Sequence, residues 1–172
     1  MVEQKVVLVD KSGNQIGLMP KLEAHQKGIL HRAFSIFLFN SKNQILLQKR
    51  SLIKYHSAGL WTNTCCSHPR DGEDIIDAGK RRLYEEMGIK TELKKEFEFT
   101  YKEALGNGFT EHEFDHVLIG NFNGNPILNK DEVEDWKWMS LEEIEKDINK
   151  NQEDYTLWFV IAFDYFYKNF KK

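Results

Sequence analysis

Cysteine is scarce in this sequence: the 172 residues contain two, Cys65 and Cys66, and they are neighbours. That spacing suits neither an ordinary disulfide nor the C-x-x-C half of a zinc site, so both read as free thiols. Net charge is small as well, −3 at pH 7. So weak a field does not gather nucleic acid or an anionic membrane non-specifically, and any anionic ligand has to be gripped locally. No apolar run approaches the ~20 residues that a bilayer span needs, and the opening MVEQKVVLVD lacks a charged leader followed by an apolar stretch. A soluble, cytoplasmic protein is expected. Repeats, low-complexity tracts and Pro- or Ser-rich linkers are missing too, and apolar residues recur from end to end. The chain therefore reads as one domain over 1–172, large enough to bury a core without staples. No pattern in it sets an oligomeric state.

What is present divides by period. VVLVD and QIGLM, joined by Lys11-Ser-Gly-Asn, predict a hairpin. Pro20 opens a short helical or irregular stretch that contains His25. AFSIFLFN and QILLQKR, separated by Ser41-Lys-Asn, predict a second strand pair, and LWTNTCCSH a further extended run. Over 73–87 the period changes: Ile76, Leu83 and Met87 form one apolar stripe, with Gly88 where a helix C′ glycine belongs. Segments 92–103, 109–122 and 134–139 have the β-branched and aromatic content of strands. A Ser140-capped helix and a terminal helix from about Asp154 complete the reading. Fold class is α/β, a mixed sheet flanked by helices.

Three clusters carry chemistry. The helix over 73–87 holds Glu73, Arg81, Arg82, Glu85 and Glu86, with Arg82 three and four residues from the last two carboxylates. Taken alone, that set is an exposed helix laced with ion pairs. In TNTCCSHP, strand alternation places Thr64, Cys66 and His68 on one side and Cys65 and Ser67 on the other. A thiol and an imidazole facing alike suit either a metal site or acid–base work. In FTEHEFDH, Glu111 and Glu113 share a face and must be neutralised by a cation, a proton or solvent. His112 and His116 point the opposite way and read as ordinary histidines, as does His56.

The run Glu73-x7-Arg81-Arg82-Leu83-Tyr84-Glu85-Glu86-Met87-Gly88-Ile89 resembles the Nudix box, G-x5-E-x7-R-E-U-x-E-E-x-G-U with U aliphatic. It departs from that pattern twice. Ser67 stands at the first glycine, and Arg82 replaces a glutamate that helps hold metal in Nudix hydrolases. Glu86 remains a carboxylate suited to Mg²⁺. Together with Lys21-Leu-Glu-Ala-His25, Gly-Ile-Leu-His31, TNTCCSHP and the Glu111/Glu113 pair, the altered box makes the chain closely similar to the type I isopentenyl-diphosphate isomerases, from about residue 5 to residue 166.

The resemblance implies a Nudix-type α/β/α sandwich with a mixed central sheet, and an enzyme that interconverts isopentenyl and dimethylallyl diphosphate through a tertiary carbocation. It implies one Mn²⁺ or Zn²⁺, or Mg²⁺, held by His25, His31, His68, Glu111 and Glu113. A second ion, Mg²⁺, would bridge the substrate diphosphate to Glu86, helped by the Cys66 carbonyl. Lys21, Arg50 and Lys54 would anchor that diphosphate, with Ser67 and Arg82 assisting. Glu113, assisted by Tyr101, would protonate the alkene, Cys66 would remove a proton from C2, and the Trp158 indole would face the cation. Trp158 also falls on an apolar helical stripe with Ile161, Tyr165 and Phe170, an ordinary packing position. The partner is a small-molecule diphosphate, with neither nucleic acid nor membrane. Two rivals compete: a Nudix hydrolase of a nucleoside diphosphate derivative using Glu73, Glu85 and Glu86, and a non-catalytic metal-stabilised domain.

Overall fold

The structure, a computed structural model, describes residues 2–170. Its elements follow in the order β1 (Lys5–Val9), β2 (Gln15–Pro20), α1 (Lys21–Lys27), β3 (His31–Phe39), β4 (Gln44–Arg50), β5 (Trp61–Thr62), β6 (Cys65–Ser67) and α2 (Ile75–Met87). Then come β7 (Leu93–Gly106), β8 (Phe109–Asn121), β9 (Val133–Ser140), α3 (Leu141–Lys150), a 3-10 turn over Gln152–Asp154, and α4 (Leu157–Phe170). No helix among the described residues is long and apolar enough to cross a membrane.

Local chemistry sets the helix ends. The Asp74 carboxylate accepts from the Ile76 and Asp77 amides at the start of α2, and Gly88 closes it at φ 64°, where a side chain would be strained. Ser140 and Glu143 form a reciprocal capping box on α3. Gly79, inside α2, lets the helix lie close on the sheet: a Cβ there would meet Leu118 Cδ1 at 2.7 Å.

The β1–β2 hairpin forms as expected. The second expected pair forms only beside its turn: β3 and β4 pair antiparallel at Phe39↔Ile45. Instead β3 runs parallel to β8 along its whole length, from His31↔Glu113 to Phe39↔Asn121, while β4 pairs with β9. These long-range partners satisfy more of each strand than a local turn offers. The extended run LWTNTCCSH also breaks, because side chains at its centre replace ladder bonds. Asn63 Nδ2 donates to the Ile36 carbonyl, and the Thr64 hydroxyl donates to the Leu46 carbonyl and accepts from the Leu38 amide.

Alternation sorts the sheet into two buried faces. Phe34, Ile36, Leu38 and Leu118 pack with Ala78, Leu83 and Met87 of α2. On the opposite face Phe37, Ile45, Leu47 and Val117 pack with Ile144 and Ile148 of α3 and with Trp158, Phe159, Phe163 and Phe166 of α4. The result is helix, mixed sheet, helix, with β3 and β8 at the centre.

Candidate active site

Parallel pairing sets His31 of β3 against Glu113 of β8, and Tyr101 of β7 opposite Glu113 on its other side. α1 brings His25 beside them, and β6 delivers Cys66 and then His68. All of these except His31 line one pocket, together with Lys21, Arg50, Lys54, Ser67, Arg82, Glu86, Glu111 and Trp158. His31 lies beneath it, fully buried. The structure thus gathers every site residue expected from the sequence. One detail of alternation fails: Thr64 points away, into its bonds with β3 and β4, whereas Ser67 does reach the pocket.

The histidines are oriented by their own chain. His25 Nδ1 donates to the Lys21 carbonyl at 2.7 Å and His31 Nδ1 to the Ile29 carbonyl at 2.8 Å. A carbonyl only accepts, so both Nδ1 atoms carry a proton, and His31 Nε2, which has no hydrogen-bond partner, turns a lone pair inward. Both His68 ring nitrogens and His31 Nε2 are buried with no hydrogen-bond partner. Burial pushes His31 down to about 4 and His68 well below the usual imidazole range, so both are neutral.

Carboxylate oxygens face the Nε2 atoms: His25 Nε2 is hydrogen-bonded to Glu111 Oε2 at 3.2 Å, and the unpartnered His68 and His31 Nε2 atoms lie 3.5 and 3.8 Å from Glu113 Oε1. Burial, and then the adjacent Glu111 carboxylate, push Glu113 well up, so that without a cation the pair retains a proton. Two ligands about 2.1 Å from one divalent ion and roughly 90–120° apart lie about 3.0–3.6 Å from each other. The 3.2 and 3.5 Å spacings fall in that range and the 3.8 Å spacing lies just beyond it, while the ligand atoms of His25, His31, His68 and Glu113 all fall within 4.8 Å of one another. Orphaned imidazole lone pairs beside buried carboxylates are the donor set a divalent cation needs.

Beside this cluster sits the thiol. Cys66 donates to Asn63 Oδ1 at 2.8 Å, while the Trp158 Nε1–H donates to Cys66 Sγ at 3.2 Å. Asn63 cannot turn away, because its Nδ2 is committed to the Ile36 and Cys65 carbonyls. The Ser35 hydroxyl lies 3.7 Å from the sulfur and donates to Asp115 Oδ2 at 2.7 Å. Burial, reinforced by the Asp115 charge, pushes the thiol up to about 12. One face of the Trp158 indole is covered by the Arg50 guanidinium at 5.2 Å. Burial, then Glu113 and Glu111, hold the Tyr101 hydroxyl well above its usual range, so it stays a neutral donor.

The remaining wall is cationic. Arg50 donates to the His56 and Ser57 carbonyls, fixing the loop that follows β4. Lys54 pairs with Glu132, and Arg82 bridges Glu85, Glu86 and Glu132. Burial, then the charges of Lys54 and Arg82, push Lys21 down. Cations crowded together in this way are relieved by an anion. The other Glu86 oxygen accepts from Gln48 Nε2 at 2.9 Å.

Several pocket residues escape the sequence reading. His56 does not behave as an ordinary surface histidine: its ring lines the pocket, with Nε2 3.7 Å from Glu111 Oε1. It lies in an aperiodic loop, where side-chain direction is not encoded. Tyr55 is hidden for the same reason, and Ser35, Gln48 and Asn63 carry no local signal. Asp115, by contrast, continues the alternation of Glu111 and Glu113 and was legible. His112 is ordinary as expected, with Nδ1 2.9 Å from the Gly28 carbonyl, and His116 faces Glu98. Glu73 is spent on Arg81 and the Arg70 amide, outside the pocket, so the carboxylate trio a hydrolase needs is dispersed.

A NUDIX domain model matches residues 29–159. Isopentenyl-diphosphate Delta-isomerase 2 of Aromatoleum aromaticum is 52% identical over 163 residues, covering 95% of this chain and 86% of that protein. Isopentenyl-diphosphate Delta-isomerase 2 of Photorhabdus laumondii is 53% identical over 158 residues, covering 92% and 89%. Among solved structures, DR0079 from Deinococcus radiodurans superposes with a TM-score of 0.72 at 18% identity, covering 86% of this chain and 90% of that one. A MutT protein from Methanosarcina mazei gives 0.68 at 21%, covering 83% and 96%. At those identities the solved structures establish the fold alone.

Proposed function

Since the chain belongs to the isopentenyl-diphosphate Delta-isomerase family of NUDIX-domain proteins, we propose that Glu113 and Cys66 carry out its allylic isomerisation from two walls of one pocket. The observation that supports this most is the presence of a buried carboxyl and a half-buried thiol in a single pocket flanked by Lys21, Arg50, Lys54 and Arg82. The cations would hold the diphosphate, Arg50 through a planar fork suited to phosphate oxygens. Ser67 stands at the same end.

His25, His31, His68, Glu111 and Glu113 would hold one divalent ion, for which the nitrogen-rich set favours Mn²⁺ or Zn²⁺ over Mg²⁺. Glu86 and the Cys66 carbonyl would meet a Mg²⁺ carried with the diphosphate. Bound there, such ions neutralise charge that the pocket otherwise leaves uncompensated.

In the forward direction the Glu113 carboxyl gives its proton to the terminal methylene, leaving a tertiary cation at C3. Tyr101, opposite it, donates to the carboxylate that remains. Cys66 takes a proton from C2, and the double bond closes between C2 and C3. One proton is gained and one lost, so the product is an isomer. The raised thiol sets a condition: forward turnover starts from the thiolate, stabilised by the Trp158 N–H, and the protonated thiol is the form that starts the return reaction. Trp158 and Tyr101 also keep water from the cation, which an exposed pocket would quench. The reaction takes place on a small-molecule diphosphate in the cytoplasm, without nucleic acid or membrane.

The test is to incubate the Mn²⁺-loaded protein with isopentenyl diphosphate and follow ³¹P and ¹H spectra. Dimethylallyl diphosphate should appear with no phosphate released. Release of phosphate from nucleoside diphosphate derivatives, with isopentenyl diphosphate untouched, would overturn the reading in favour of hydrolysis.

A further inference from the structure

His56 belongs to none of the motifs that carry the family resemblance, yet its ring is placed like those of the cation site. Its Nδ1 lies 3.3 Å from Ser57 Oγ, and its Nε2 points to Glu111 Oε1 at 3.7 Å, too far for a hydrogen bond. That repeats the arrangement of His25 and His31, in which a nearby oxygen of the same chain engages Nδ1 and Nε2 faces a buried carboxylate. The ligand atoms of His25, His56 and Glu111 fall within 4.8 Å of one another, and the His25 and His56 rings are 5.9 Å apart. This set shares His25 with the cluster in which the buried His31 Nε2 and both His68 nitrogens lack partners. Packing alone does not account for the residue. An aromatic ring without nitrogen would fill the space between Tyr55 and Trp158 equally well, at centroid distances of 4.6 and 5.8 Å, but would offer Glu111 nothing.

Resting on the cation site of the proposed function, we propose that His56 supplies a further Nε2 ligand to that site, on the side of His25 and Glu111. The consequence concerns the segment joining β4 to β5. His56 lies two residues after Lys54, and its carbonyl is held by the guanidinium of Arg50 at the end of β4, so the loop carries the proposed metal ligand and one diphosphate anchor and is tied to a second. Cation binding then fixes the anchors, and the protein grips a diphosphate better once the metal is in place.

The test uses metal and inorganic pyrophosphate, without turnover. Mn²⁺ affinity is measured by calorimetry for wild type, His56→Asn and His68→Ala, and amide exchange of residues 51–60 is followed with and without Mn²⁺. His56→Asn, which keeps a polar atom near Ser57 but removes Nε2, should weaken Mn²⁺ binding by roughly tenfold or more. It should also abolish the protection that Mn²⁺ gives the loop in wild type and weaken pyrophosphate binding to the Mn²⁺ form. His56→Gln, with an amide near the Nε2 position, should retain part of both effects, and it decides the matter if the Asn variant does not fold. Wild-type Mn²⁺ affinity and loop protection in His56→Asn, alongside metal loss in His68→Ala, would overturn the role of His56 and leave the cation site standing. Wild-type affinity in His68→Ala as well would remove the site itself.

Discussion

The two faces of β8 carry similar residues and do different work. Between 111 and 116 the strand holds five titratable side chains, Glu111, Glu113 and Asp115 on one face and His112 and His116 on the other. The acidic face turns toward α4 and meets histidines from α1, β3 and the β6 end, a buried group that could hold a metal ion, in which His31 Nε2 and both His68 nitrogens lack partners. The histidine face meets a Gly28 carbonyl and the half-exposed Glu98, and although His116 Nδ1 has no hydrogen-bond partner, no second histidine or buried carboxylate among the described residues converges on it. A titratable residue becomes part of a site through what the opposing elements bring to it. The adjacent cysteines repeat the contrast on β6: Cys65 enters the apolar cluster under α2, and Cys66 enters the pocket.

The largest effects should come from the pocket side. Glu113→Gln and Cys66→Ala should each lower kcat by about 10²–10⁴, the usual worth of a general acid or base, with folding intact by circular dichroism. Loss of folding along with rate would make these residues structural and break the contrast between the faces. Next is metal removal. A chelator should lower the melting temperature, because an ion at 100 times its Kd stabilises the native state by about 2.7 kcal/mol. His116→Gln, which leaves the cation site intact, should show the same drop on chelation, and a melting curve indifferent to chelation would count against the site.

Smaller effects should follow from the apolar and histidine faces. Cys65→Ala should cost about 1 kcal/mol of stability, near the worth of one buried methylene, and leave kcat unchanged. A rate loss matching that of Cys66→Ala would erase the distinction between the two thiols. His116, pushed down to about 4 by burial and then by Lys95, stays neutral when folded, whereas the unfolded chain takes up its proton near 6.5. Its contribution to stability is present above pH 6.5 and is lost as pH falls toward 4, so His116→Gln should flatten that part of the acid denaturation profile. His112→Gln, which gives up one hydrogen bond, should cost about 0.5–1.5 kcal/mol and nothing in rate.

The faces of β8, the ends of α2 and α3 and the β1–β2 hairpin were legible because each follows from alternation, a capping side chain or a turn within a few residues. Pairing between β3 and β8 was not, since parallel strands so distant in sequence leave no local mark. The motifs singled out His25, His31, His68 and the two glutamates, which the fold brings together, but only the parallel register explains how they meet. Hydrogen bonds that hold Cys66, through Asn63, Ser35 and Asp115, join three strands and were invisible, although Asp115 lay in plain view as the next odd residue. The orientation of His56 depends on Arg50 gripping backbone carbonyls, a contact that composition does not announce.

The account stands most directly on deuterium uptake from D₂O into product, followed by NMR for wild type, Glu113→Gln and Cys66→Ala, all loaded with Mn²⁺. Wild type should deliver deuterium to the new methyl group of dimethylallyl diphosphate, and neither variant should form labelled product. Uptake at the wild-type rate in either folded variant would show that the proton travels by another route.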